Sequence, residues 1–225
     1  MQKTGVLIRC YSITDYLPFV LKNYAWVDKI VVMNYRFKSA EPRQDDTEQI
    51  VNTFQKLFRH NNLIFEKGEG VSQHEIFNKG IKYLSDCATV FISDADEFIA
   101  LPSMKNIVFQ MEHGNHGLGY CRIIDYAFDF YHRFNNRHFN PTLVAINPKY
   151  AEFVKIRIAR SDKKAKHFEH KLYHFGFVLP PKTLKWKLQW ESKEEGVNIV
   201  KGITETEIVL SEPPEKEIME LLGEI

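Results

Sequence analysis

The chain has 225 residues, 44% hydrophobic and 26% charged, with 13% aromatic residues, a composition that excludes a disordered tail and suits one well-cored domain. Its longest apolar runs, such as Gly5–Ile8 and Ile30–Met33, fall far below the roughly 18 residues of a membrane helix, and Cys10, Cys87 and Cys121 are too few and scattered for a disulfide framework or a CxxC metal site. The net charge of +1 conceals an asymmetry: residues 151–190 hold ten Lys/Arg against three Asp/Glu, whereas residues 191–225 hold three Lys against ten Glu.

Residues 1–4 lead straight into a strand-like run, so the reading expects no secretory leader and a cytoplasmic setting. Gly5–Ile8 is a buried strand candidate. Thr14 or Asp15 can cap a helix with Pro18 in its first turn, and Leu17, Val20, Leu21 and Tyr24 line one helical face. Lys29–Met33 is a second, β-branched strand of the kind covered on both faces. After a polar loop over Tyr35–Asp46 comes a helix with Ile50, Val51, Phe54, Leu57 and Phe58 on its apolar face. Asn62–Glu66 is a third strand, Gln73–Leu84 a helix, and Thr89–Ile92 a fourth strand. Such strand–helix alternation predicts right-handed βαβ units on a mostly parallel sheet, with ligands beyond the carboxyl ends of its strands.

After residue 117 the pattern changes. Arg122–His132 alternates strictly, with Ile124, Tyr126, Phe128 and Phe130 on one face and Asp125, Ala127 and Asp129 on the other, as antiparallel strands do. Further strands are expected at Thr142–Ile146, Val154–Ala159 and Lys171–Phe175, with a short helix at Glu215–Leu222. Residues 1–190 are expected to form the main domain, and 191–225 an acidic appendage.

Asp94-Ala95-Asp96 closes the fourth strand. In extended chain, residues two apart point to the same side, so both carboxylates can meet one hard cation. Two anions at the end of an apolar strand repel, and a divalent metal carrying a diphosphate would offset that cost. The alternative is an ordinary cap or surface turn.

With its neighbours, Ser93-Asp94-Ala95-Asp96-Glu97-Phe98 resembles the DADEF motif of family 2-like glycosyltransferases with the GT-A fold. Ile8–Ser12 with the helix Tyr16–Tyr24, Asp46–Ile50, Gln73 with Asn78-Lys79-Gly80, and Tyr173-His174-Phe175-Gly176 are similar to further elements of that family, over about residues 5–185. The resemblance implies a Rossmann-like three-layer α/β sandwich, with antiparallel additions in its C-terminal half. It implies a nucleotide-sugar donor, a hydroxyl acceptor, and Mn2+ or Mg2+ held by Asp94, Asp96 and His174. Asn34 stands where that family has an acidic residue near the nucleotide's base or ribose, Tyr11 and Ser12 replace its Asn-Glu, and Gln189-Trp190 is only a fragment of its acceptor motif.

An inverting transfer needs a base for the acceptor hydroxyl; Asp125, Asp129 and Glu97 are the candidates, against the plainer reading of solvated strand-face and turn residues. Arg9, Tyr11, Asn34, Lys79 and Asp94 are the expected donor-binding residues. Lys182 and Lys185 are further counter-charges for a diphosphate. His167, His170 and His174 invite a zinc reading, although in extended chain His167 faces away from the other two. A metal-dependent phosphohydrolase or nucleotidyltransferase, and a non-catalytic carbohydrate- or partner-binding shell, remain as alternatives. Nucleic acid is not an expected partner, because the chain is not strongly basic and carries none of the usual recognition spacings.

Overall fold

The computed structural model describes residues 2–11, 14–36, 45–69, 72–135, 141–155, 157–180, 182–185, 187–188, 208–210 and 213–223. Strands β1 (Thr4–Cys10), β2 (Lys29–Arg36), β3 (Leu63–Glu69) and β4 (Thr89–Asp94) pair in parallel in the order β4-β1-β2-β3. Helices α1 (Leu17–Asn23), α2 (Thr47–Phe58) and α3 (Gln73–Tyr83) connect them.

Alternation along β1 and β2 sorts the core into two layers. Val6, Ile8, Ile30 and Val32 face Leu17, Val20 and Leu21 of α1 and Val51 and Phe54 of α2. Leu7, Val31 and Met33 face Ile76, Phe77 and Ile81 of α3. A Cβ on Gly80 would lie 2.4 Å from Leu7 Cδ1, so the bare backbone there lets α3 settle onto β1. Ser72 caps α3 in a reciprocal box with Glu75.

Beyond β4 lie the two-residue β5 (Glu97–Phe98) and α4 (Leu101–His113), whose Met104, Ile107 and Met111 join the α1–α2 layer. Then β6 (Leu118–Ala127) runs antiparallel to β8 (Thr142–Ile146), and β8 antiparallel to β4. The long β11 (Ala165–Phe177) pairs with β6 in parallel and with β5 antiparallel. The mixed sheet expected for the C-terminal half is therefore present.

Helix α4 was not anticipated from the sequence, and two expectations need correction. The strand expected at Arg122–His132 ends at Ala127, because Phe128 takes φ 71 and the chain turns into β7 (His132–Phe134), which returns antiparallel to β6. Phe128 is 65% exposed and not on the core face. The strand expected at Val154–Ala159 is instead a hairpin of β9 (Ala151–Lys155) and β10 (Ile158–Ser161), turning through Arg157 at φ 48.

Most of the expected appendage, 191–225, lies outside the described residues. Its described pieces join the main body: β12 (Ile208–Leu210) pairs with β7, and Ile218 and Met219 of α5 (Lys216–Leu222) are buried. No described helix is long and apolar enough to cross a membrane.

Candidate active site

The parallel register sets Arg9, at the end of β1, beside Asp94, at the end of β4. Arg9 Nε donates to Asp94 Oδ1 at 2.8 Å and Nη2 to Oδ2 at 2.6 Å, a two-pronged, charge-assisted contact. Nη1 donates to Gln73 Oε1 in the first turn of α3, and the guanidinium lies 5.6 Å from the Phe77 ring centre. Burial works against the Asp94 carboxylate, but Arg9 and then Arg157 outweigh it and hold its pKa below the usual range.

The chain leaves the extended form at Ala95 and Asp96, where the Ala95 N–H donates to the Arg9 carbonyl at 3.1 Å. The spacing argument that put both carboxylates on one side therefore stops at Asp94. Asp96 turns instead toward β11 and the segment after it. Lys187 Nζ donates to Asp96 Oδ2 at 2.9 Å, and His174 Nε2 lies 3.6 Å from Asp96 Oδ1. Asp96 and Lys187 side chains are each 5% exposed. Burial disfavours the Asp96 anion, yet Lys187 and His174 reverse the effect and keep its pKa well below the ordinary carboxylate range.

His174 sits between two strands, opposite Glu97 on β5 and Asp125 on β6. Its Nδ1 is 2.6 Å from Asp125 Oδ1. Burial opposes a charged imidazole here, but the Asp96 and Asp125 carboxylates prevail and raise its pKa to about 10.

Glu97, an expected base, is 1% exposed. Both Nη atoms of Arg157 bond its carboxylate, and its Oε2 also accepts the Asp94 N–H at 2.9 Å. It fastens the turn to the β9–β10 hairpin. Asp129 lies in the turn after β6, not on a strand face beside Asp125; its Oδ1 accepts the N–H groups of Tyr131 and His132, each at 2.8 Å, and its carboxylate meets His132 Nδ1. Burial opposes the charge, but those bonds hold its pKa down.

The remaining candidates are more dispersed. Lys79 pairs with Glu66 and donates to the Tyr35 hydroxyl at 2.7 Å, away from the acidic turn. Asn34 is buried, donates from Nδ2 to Asp45 and leaves Oδ1 without a partner among the described residues. Asp45 in turn accepts from the Thr47 N–H at 3.1 Å. Tyr11 packs, half-buried, against the α3-side core. Lys182 and Lys185 are exposed. His167 stacks on Tyr120 and His170 meets Asn106 Oδ1 at 2.9 Å, so the three histidines do not gather as the zinc reading requires. Arg157 and Lys187 were missed by sequence reasoning; the only signal was the basic stretch that contains both.

Among the described residues no three His, Cys, Asp or Glu side chains converge as a metal cluster. Asp96 and His174 nevertheless fit as a two-residue ligand pair. Asp125 occupies Nδ1, which leaves Nε2 facing Asp96, the carboxylate–imidazole arrangement that orients a histidine ligand. A Cβ on Gly176 would lie 2.4 Å from both His174 Nε2 and Lys187 Nζ, so glycine keeps that space open. Both Asp94 oxygens accept hydrogen bonds from Arg9.

No family model matches the chain, and no curated protein matches it in sequence. Solved structures do match in fold. The mannosyltransferase PcManGT from Pyrobaculum calidifontis, in complex with GDP-Man and Mn2+, is 14% identical with a TM-score of 0.56, over 98% of this chain and 68% of that one. TarS from S. aureus is 13% identical with a TM-score of 0.53, over 91% of this chain. Glucosyl-3-phosphoglycerate synthase from Mycobacterium tuberculosis, with Mn2+ and UDP, is 10% identical with a TM-score of 0.51, over 87% and 81% of the two chains. The match spans 45% of the TarS chain, and 58% of TarS 1–349 with UDP-GlcNAc. At such identities the likeness is one of fold, and the fold of this chain is that of the GT-A glycosyltransferases.

Proposed function

We propose that the chain is a metal-dependent glycosyltransferase that moves a sugar from a nucleoside-diphosphate sugar to a hydroxyl acceptor with inversion. The observation that carries this reading is the Asp96–His174–Asp125 chain beside the Arg9–Asp94 fork, at the carboxyl ends of β4 and β1, where open parallel sheets bind ligands. The nucleotide-sugar and Mn2+ complexes among the structures of like fold support it.

Asp96 and His174 would hold Mn2+ or Mg2+, with Asp125 orienting the imidazole. The bound ion supplies positive charge against the departing diphosphate. Arg9, Asp94, Glu97 and Arg157 keep the turn in place. Asn34 Oδ1, buried and unpartnered among the described residues, suits a base N–H of the donor, with Asp45 close by.

For the acceptor base we choose Asp129. Its side chain is 46% exposed, against 18% for Asp125 and 2% for Glu97, both of which are tied to internal cations. Asp129 takes the hydroxyl proton as the acceptor oxygen attacks the anomeric carbon, and the bond from that carbon to the diphosphate oxygen breaks.

Product analysis tests the reading. Incubation with GDP-mannose, UDP-glucose or UDP-GlcNAc, Mn2+ and a panel of saccharide and lipid-linked acceptors yields a glycosylated acceptor and the nucleoside diphosphate. Cleavage of the phosphoanhydride without sugar transfer would favour the phosphohydrolase alternative. Donor binding with no turnover across the panel would favour the non-catalytic shell.

A further inference from the structure

We propose that Lys187 is an internal counter-ion that competes with the divalent ion for Asp96: its ammonium holds Asp96 until the ion enters, and the displaced ammonium can then meet the diphosphate of the donor. This deepens the transferase reading and rests on it.

Geometry places the two cations in competition. Lys187 Nζ is 2.9 Å from Asp96 Oδ2, and His174 Nε2 is 3.6 Å from the other oxygen of the same carboxylate. Both nitrogens border the space above Gly176, each 2.4 Å from where a Cβ would stand. An ion held by Asp96 and His174 would therefore lie against the ammonium. Two cations that close, in a site screened from water, repel strongly.

Attachment decides which cation moves. Lys187 and the ion call on the same Asp96 carboxylate, whereas Arg9 and Arg157 meet Asp94 and Glu97. Arg9 and Arg157 are forked onto their carboxylates. Lys187 ends a flexible four-carbon stem in a segment outside the sheet, and an ammonium is a ready phosphate ligand. The Phe177 ring, centred 5.7 Å from Nζ, offers the ammonium a contact beside the site.

The test is titration with Mn2+ alone, followed by the electron paramagnetic resonance signal of the free ion, on wild type, Lys187→Met and Lys187→Arg. Lys187→Met is expected to bind Mn2+ at least about tenfold tighter than wild type, and Lys187→Arg no tighter than wild type. Equal or weaker binding by Lys187→Met overturns the proposal while leaving the transferase reading intact. Failure of every protein to bind Mn2+, with or without UDP, removes both. Should Lys187→Met not fold, wild-type protein decides. Acylation of Lys187, read by peptide mass spectrometry, is expected to rise several-fold on adding Mn2+, and unchanged labelling overturns the proposal.

Discussion

Arg9 and Asp94 stand side by side in the β1–β4 register and close on each other through two hydrogen bonds of 2.8 and 2.6 Å. The side chains are 18% and 17% exposed, so neither charge is well solvated without the other. Removing one partner from such a pair costs about 3 kcal/mol or more, because the survivor is left uncompensated. Arg9→Met is therefore expected to lower unfolding stability by that amount. Arg9→Met/Asp94→Asn should lose at least about 1 kcal/mol less than the sum of the single changes. Urea titration of the four proteins checks it, and strict additivity would show that the pair does not act as a unit.

Arg157 and Glu97 form the second anchor of the turn. Glu97 also receives the Asp94 N–H, so this pair acts on the backbone that carries both aspartates. Arg157→Met is expected to cost about 3 kcal/mol and to weaken Mn2+ binding as well, although Arg157 is not assigned to the ion. Calorimetric Mn2+ titration with urea denaturation checks both effects. A stability loss with unchanged Mn2+ affinity would confine Arg157 to the hairpin.

Stability without added metal should depend on pH through His174. Its folded pKa, about 10, lies above the ordinary 6.5, so its stabilisation is complete below about pH 6.5 and is lost as pH rises through about 10. Asp96 is shifted down, so its contribution is present above the usual carboxylate pKa and is lost only in strong acid. The unfolding free energy from urea titration should fall between pH 6.5 and 10, by on the order of a few kcal/mol. The fall should be clearly shallower in His174→Gln; parallel curves for the two proteins would contradict the charged contact.

Two glycines separate site from scaffold. Gly176→Ala would press on His174 Nε2 and Lys187 Nζ, the far ends of side chains, whereas Gly80→Ala would press on Leu7 in the core. Gly176→Ala is expected to lose at least about tenfold in Mn2+ affinity with a small stability change. Gly80→Ala should do the reverse, by about 1–3 kcal/mol. Thermal melts and Mn2+ titration of both variants check the contrast.

Much of the parallel half was legible because its strands are buried on both faces, and β1, β2 and β4 consequently stand out as apolar runs. The hairpin at Arg157 was not, since an arginine in the left-handed region carries none of the glycine or asparagine that announces a turn. Phe128 hid the end of β6 in the same way, and with it the true place of Asp129. Asp94, Asp96, Asp125 and His174 were all named from sequence, but the ion pairs around them were not. Those pairs depend on Arg9, Arg157 and Lys187, which meet their partners across 85, 60 and 91 residues, and no local pattern encodes contacts at that separation.

The central claim is that Asp96 and His174 hold a divalent ion on behalf of a nucleotide sugar. Its most direct test is the thermal midpoint of wild type and Asp96→Ala with GDP-mannose, UDP-glucose and UDP-GlcNAc, each with and without Mn2+. Donor at a hundredfold over its dissociation constant adds about 2.7 kcal/mol, or roughly 5–10 °C for a chain of this size. The account predicts that rise for at least one donor in wild type, only when Mn2+ is present, and its loss in Asp96→Ala. A wild-type midpoint that no donor moves in the presence of Mn2+, or an equal rise in Asp96→Ala, would contradict it.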